Sequence, residues 1–118
     1  MKNTLLHSRI GVLITASLFT SASQAIIVTT NINYVSPGGS NTQLDVFQPD
    51  TPVTPGFPTI VNVHGGGWVS GDKSDVNAFC AQLARRGFPV VNINYTLATR
   101  AAQSHPQAVK DIKAAIRW

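Results

Sequence analysis

The sequence predicts an α/β fold: an antiparallel hairpin, then a βαβ unit of a parallel sheet. Three observations carry that expectation. Thr59–Val63 and Pro89–Tyr95 are short runs rich in Val and Ile, bounded by turn residues, as suits strands buried on both faces. Between them Val76, Phe79, Cys80, Leu83 and Ala84 recur at helical spacing. Gly87 then stands where a helix would need a left-handed residue to stop. Strand, helix and strand within 37 residues make a unit whose strands lie parallel, with a right-handed crossover in ~98% of cases.

The elements follow in order. Residues 1–25 read as a secretory signal peptide. Lys2, His7 and Arg9 give a basic start, Ile10 to Phe19 an apolar stretch, and Ser23 and Ala25 the small residues flanking cleavage after Ala25. The apolar stretch is about half the roughly 20 residues that span a bilayer, so no stable membrane anchor is expected. No twin arginine is present, which favours a Sec-type route to a secreted or periplasmic location. The mature segment, 26–118, opens on a β-branched strand, Ile26 to Tyr34. Ser36 to Asn41 is a turn by composition, and Gln43 to Phe47 alternates as its antiparallel partner. Four prolines between Pro49 and Pro58 mark a surface connection. Ser74 or Asp75 is expected to cap the helix of the βαβ unit. A last helix starts near Ser104 and Pro106, with Val109, Ile112 and Ile116 on one stripe and Lys110, Lys113 and Arg117 on a solvated face. Asn-Ile-Asn-Tyr occurs at 31–34 and again at 92–95, but the flanks differ and no repeat is inferred.

Composition excludes several functions. Nine Lys plus Arg against five Asp and no Glu give +4, and seven against five remain once Lys2 and Arg9 are set aside. Those charges are scattered, so nucleic acid is not an expected partner. One cysteine, Cys80, leaves no disulfide framework and no Cys-rich zinc site. Its apolar neighbours predict a buried, inert thiol. No metal-ligand spacing occurs, and neither a metal nor a cofactor is expected.

The chemistry is concentrated in His64-Gly65-Gly66-Gly67-Trp68, directly after a strand and before a helix. Ligands on open α/β sheets bind outside the C-terminal ends of strands, where this loop falls. Three consecutive glycines are entropically costly, so a close approach or unusual backbone must offset them. Glycine amides aimed into such a crevice can donate to an oxyanion forming on an attacked carbonyl.

This His-Gly-Gly-Gly loop resembles the oxyanion motif of α/β-hydrolase lipases and esterases. Gly71-Asp72-Lys73, Asn94-Tyr95-Thr96-Leu97-Ala98 and Pro106 to Asp111 with Ala115 and Trp118 are similar to segments of the same superfamily. The likeness runs from about residue 40 to 118 and is greatest to secreted esterases of the hormone-sensitive-lipase and feruloyl or acetyl-xylan esterase types. It implies that Gly66 and Gly67 are the oxyanion donors, that Gly65 frees the turn, and that His64 anchors the loop. It makes Trp68 a substrate-binding wall of the acyl pocket, with plain packing as the alternative. Asp72 and Tyr95 are read as polar braces.

One departure is as informative as the matches. The sequence contains no Gly-x-Ser-x-Gly, the elbow that presents the nucleophile in this superfamily. Ser70, His64 and Asp72 share one short loop, where a base rarely reaches a nucleophile while an acid orients it. Ser104 and His105 are adjacent and diverge. The expectation is therefore an N-terminal portion of an α/β-hydrolase, truncated before the nucleophile elbow, with nucleophile, acid and base beyond Trp118. The expected activity is carboxylic ester hydrolysis on a small-molecule ester, this chain supplying the oxyanion half and being inactive alone. Two alternatives stand beside it: a non-catalytic secreted remnant acting as a binding module, and a peptidase on the same fold, since such a loop polarises amide and ester carbonyls alike.

Overall fold

The computed structural model describes residues 24–51 and 55–118. The signal-peptide reading of 1–25 lies outside them, apart from Gln24 and Ala25. Four strands, β1 (Ile26–Asn33), β2 (Gln43–Pro49), β3 (Ile60–Val63) and β4 (Val90–Ile93), form one sheet in the order β1-β2-β4-β3. β2 is antiparallel to both β1 and β4, while β3 and β4 run parallel, joined through helix α1 (Asn77–Arg85). Helix α2 (Gln107–Arg117) follows β4. The hairpin and the βαβ unit are thus both present, as a mixed sheet.

Strand alternation splits the apolar residues between two faces. Leu44 faces Ile93 across the β2–β4 pair and packs with Tyr34 and with Ala115 of α2. Phe47 faces Val90 and packs with Cys80 and Ala84 of α1. One helix therefore covers each side of the sheet. Cys80 is wholly buried, and burial pushes its thiol above the ordinary range.

Helix α1 ends as its sequence requires. Gly87 takes φ +96°, its amide donates to Ala84 O at 2.9 Å, and Phe88 N donates to Leu83 O at 3.2 Å. These are the two bonds of a Schellman stop. Its start differs from expectation: Asp72, not Ser74 or Asp75, caps a 3₁₀ turn over Lys73–Val76 that leads into the helix. Phe79 is exposed, because Cys80 and Ala84 occupy the sheet-facing positions.

Two further expectations are corrected. β3 is only half buried, and Val63 is exposed, because among the described residues β3 pairs with a strand on one side only. The buried stripe of α2 is Ala108, Asp111 and Ala115, one residue out of phase with the Val109–Ile112–Ile116 stripe. Small side chains let the helix approach the sheet, while Val109 and Ile116 stay exposed. That helix starts at Gln107 with Pro106 as its cap residue, and Ser104 contributes its backbone carbonyl, which accepts from Ala108 N at 2.8 Å. Lys110, Lys113 and Arg117 are exposed.

Candidate active site

The glycine loop leaves the end of β3 and turns back sharply. His64 is buried, its ring stacked on Tyr95 with centroids 4.5 Å apart. The Tyr95 hydroxyl donates to His64 O at 3.0 Å. His64 Nδ1 lies 2.7 Å from Gly65 O, and a carbonyl only accepts, so this contact places the ring proton on Nδ1. Gly66 has φ +119°, and its carbonyl accepts from Val69 N, Ser70 N and Ser70 Oγ, each at 3.2 Å. A Cβ on Gly66 would sit 1.9 Å from Ser70 O. At the loop's far end Gly71, φ +101°, lies so close that a Cβ would be 2.5 Å from Gly65 O and 2.6 Å from His64 Nδ1. Only glycine fits at either position. Gly65, by contrast, is outside the left-handed region and has open space where a Cβ would go. The freedom that the resemblance assigns to Gly65 is used by Gly66, by Gly67 at φ +62° and by Gly71.

Trp68 is the unexpected residue. It holds φ +68°, a conformation that costs an L-residue roughly 1–2 kcal/mol. Ala98 N donates to its carbonyl at 2.7 Å, and its ring meets Tyr95 edge-on at 5.4 Å. Strain held in place from two sides in this way is a recurring mark of functional loops. Between Trp68 and the start of α2 lies a cavity of about 220 Å³, bounded by Trp68, Ser104, His105, Ala108 and Val109.

Gly66 and Gly67 are exposed, and neither amide donates to a protein acceptor among the described residues. Such donors are free for an anionic oxygen. Among the described residues no three His, Cys, Asp or Glu side chains come together as a metal cage requires.

Beneath the loop is a buried polar network. Lys73 Nζ is 2.7 Å from Asp45 Oδ1 and donates to Asn31 Oδ1 at 2.9 Å. Both charged side chains are nearly inaccessible, 8% and 2% exposed. The Lys73 backbone is held too: its N–H donates to Asn94 Oδ1 and its carbonyl accepts from Asn92 Nδ2, each at 2.7 Å. Asn92 Oδ1 accepts from Asn62 Nδ2 at 2.8 Å, tying in β3. The segment closing the glycine loop is thus fixed directly to β1, β2 and β4, and through Asn92 to β3.

The two Asn-Ile-Asn-Tyr copies turn out to flank β2. Ile32 and Ile93 both pair with Leu44, from opposite sides. Asn31, at φ +59° in an irregularity of β1, donates its N–H to Asp45 Oδ1 at 2.8 Å, while Asn92 pairs with Asp45 across the ladder. Tyr34 donates to Asn94 O at 2.7 Å. Burial, and secondarily the Asp111 charge, push its phenol well above the ordinary range, so it remains a donor. Asp111 itself, buried in α2, accepts from Thr96 N at 2.9 Å and Gln107 Nε2 at 2.6 Å, bracing the strand-to-helix connection.

Asp72 accepts from Ser74 N at 2.8 Å and from Asn94 Nδ2 at 2.8 Å, and its own N–H donates to Asp75 Oδ2 at 2.9 Å. The Ser74 bonds first, then Asn94 and the nearby Lys73 charge, pull its carboxyl down to about 2. A carboxylate depressed in the folded state stabilises fully above its unfolded value near 3.8 and loses that contribution as pH falls towards 2. Asp72→Asn should therefore flatten the acid limb of stability between pH 4 and 2, measured by denaturant titration; an unchanged limb would contradict this. Asp72→Ala removes the cap and should cost about 1 kcal/mol at neutral pH.

A glycine-rich turn at the C-terminal end of a parallel strand, in a mixed sheet with a helix on each face, is an arrangement that the α/β-hydrolase fold contains. The chain belongs to the BD-FAE family, whose model matches residues 44–118. It is 31% identical over 90 residues to the probable carboxylic ester hydrolase LipM of Mycobacterium tuberculosis (strain ATCC 25618 / H37Rv), covering 75% of this chain and 20% of that protein. Its fold is similar to crystal structures of esterase B from Lactobacillus rhamnosis, with TM-score 0.66 and 26% identity over 79% of this chain and 29% of that one. A truncated carbohydrate esterase from gut microbiota gives TM-score 0.61 and 26% identity, over 80% of this chain and 33% of that one. The chain thus spans between a fifth and a third of the length of these relatives.

Proposed function

We propose that this chain supplies the oxyanion-binding half of a carboxylic ester hydrolase working through a serine acyl-enzyme. Gly66 and Gly67 donate their amides to the ester carbonyl oxygen as attack drives negative charge onto it. The observation that carries this reading is the pair of exposed, unengaged amides on a left-handed glycine turn whose base is locked by Tyr95, Lys73 and Asn94. Locked donors need no reorganisation at the moment of reaction, which is why each such bond is worth about 3–4 kcal/mol in the transition state. The serine, its base and its orienting acid belong to another segment, since no Gly-x-Ser-x-Gly occurs among these residues. In this reading the protein is exported, with residues 1–25 as its leader.

The test uses the polypeptide expressed from the whole reading frame. It should hydrolyse p-nitrophenyl acetate with a burst of p-nitrophenolate, and a p-nitrophenyl phosphonate should label one serine stoichiometrically by mass. A folded protein that does neither would favour the non-catalytic binding module. Faster turnover of peptide amides than of esters would favour the peptidase.

A further inference from the structure

We infer that Asp111 is a positioning residue for the oxyanion amides, acting from α2 through the segment Asn94–Ala98. The inference rests on the esterase reading and goes beyond it by naming what holds the donors' support in place. The segment follows β4 and lies in no helix or strand. It grips the glycine loop along its length. The Tyr95 hydroxyl donates to His64 O at 3.0 Å and Ala98 N to Trp68 O at 2.7 Å, and these two carbonyls bracket Gly66 and Gly67. Asn94 holds the loop's far end, accepting from Lys73 N at 2.7 Å and donating to Asp72 Oδ2 at 2.8 Å.

A support made of irregular chain needs an anchor of its own. Among the described residues, the hydrogen bonds of residues 95–98 all go to the glycine loop except one: Thr96 N donates to Asp111 Oδ2 at 2.9 Å. The other oxygen of Asp111 accepts from Gln107 Nε2 at 2.6 Å, so the carboxylate is held from its own helix while it holds Thr96. Asp111 is 3% exposed, lies between Ala108 and Ala115 on the buried stripe of α2, and among the described residues has no cation within ion-pair distance. Burying an unpaired carboxylate is costly, and an apolar side chain there would cost less. What the carboxylate supplies instead is a fixed acceptor for Thr96 N, between the two residues whose bonds bracket the donors.

The test uses the polypeptide from the whole reading frame. Asp111→Ala removes the acceptor and keeps the fold, because alanine is the strongest helix former and a buried charge leaves with the carboxylate. Its kcat on p-nitrophenyl acetate should fall roughly tenfold with KM within about twofold, since a misplacement of about 1 Å costs a hundredfold and a loosened support shifts the amides by less. In the free protein the Gly66 and Gly67 amide resonances should move too. Gln107→Ala, at an exposed position, frees the carboxylate on one side and should move the same two resonances by less. Asp111→Asn keeps an oxygen for Thr96 N and turns its amino group to Gln107, whose amide can present its own oxygen, so kcat should stay within about twofold of wild type. Ala84→Gly in α1 controls for stability: it should lower the urea midpoint and leave kcat unchanged. An unchanged kcat in Asp111→Ala, both resonances unmoved, or an equal loss of kcat in Asp111→Asn or Ala84→Gly would overturn the assignment and leave the esterase reading intact. A wild-type protein inactive on the ester would overturn both.

Discussion

Gly66→Ala should lower kcat for ester hydrolysis by about 10²–10³ and leave KM within a few fold. The added methyl carbon falls 1.9 Å from the Ser70 carbonyl oxygen, a backbone atom with no flexible end to give way. That carbonyl belongs to the same turn whose amides donate to Gly66 O, so the turn must open for alanine to enter. The φ of +119° compounds the strain for any L-residue. A displacement of about 1 Å at a reacting centre is enough for a hundredfold loss. Ground-state binding changes little, because the carbonyl oxygen carries its charge only after attack. The check is a steady-state comparison with wild type on p-nitrophenyl acetate; an unchanged kcat would remove Gly66 from the oxyanion role.

Lys73→Met should destabilise the protein by about 3–5 kcal/mol. The substitution keeps the length of the stem but strands Asp45, whose carboxylate is 2% exposed and has Lys73 as its ion-pair partner. Asn31 Oδ1 loses its donor at the same stroke. Against a typical total of 5–15 kcal/mol this is a large fraction. The double variant Asp45→Asn with Lys73→Met should recover part of the loss, since the uncompensated charge goes with it. Urea midpoints of the two single variants and the double variant make the measurement. A single-variant loss under about 1 kcal/mol would mean the pair behaves as a solvent-screened one.

What could be read from the sequence follows from which signals are local. Ile60–Val63 and Val90–Ile93 were legible as strands because Pro, Gly and an apolar run are all neighbours in the chain. The stop at Gly87 was legible for the same reason. The three glycines announced the site, since nothing else justifies their entropy. The Asp45–Lys73 pair was not legible, because charges 28 residues apart carry no mark of meeting. A weaker signal was available: Asn92 and Asn94 inside a strand expected to be buried need partners, and they find them in the loop that follows the glycines. The face of α2 was misread because hydrophobicity favours Val109 and Ile116, whereas close helix–sheet approach selects Ala108 and Ala115. Which glycine carries the unusual backbone also depended on Ser70 and Gly71 folding back over the loop.

The central claim is that the Gly66 and Gly67 amides bind the oxyanion, and amide proton NMR tests it most directly. Spectra of the ¹⁵N-labelled polypeptide from the whole reading frame are compared before and after phosphonylation, the phosphonate oxygen standing in for the tetrahedral oxyanion. The account predicts that the Gly66 and Gly67 amide protons both move downfield, as donors to a charged oxygen do. Stoichiometric labelling with both resonances unmoved would contradict it.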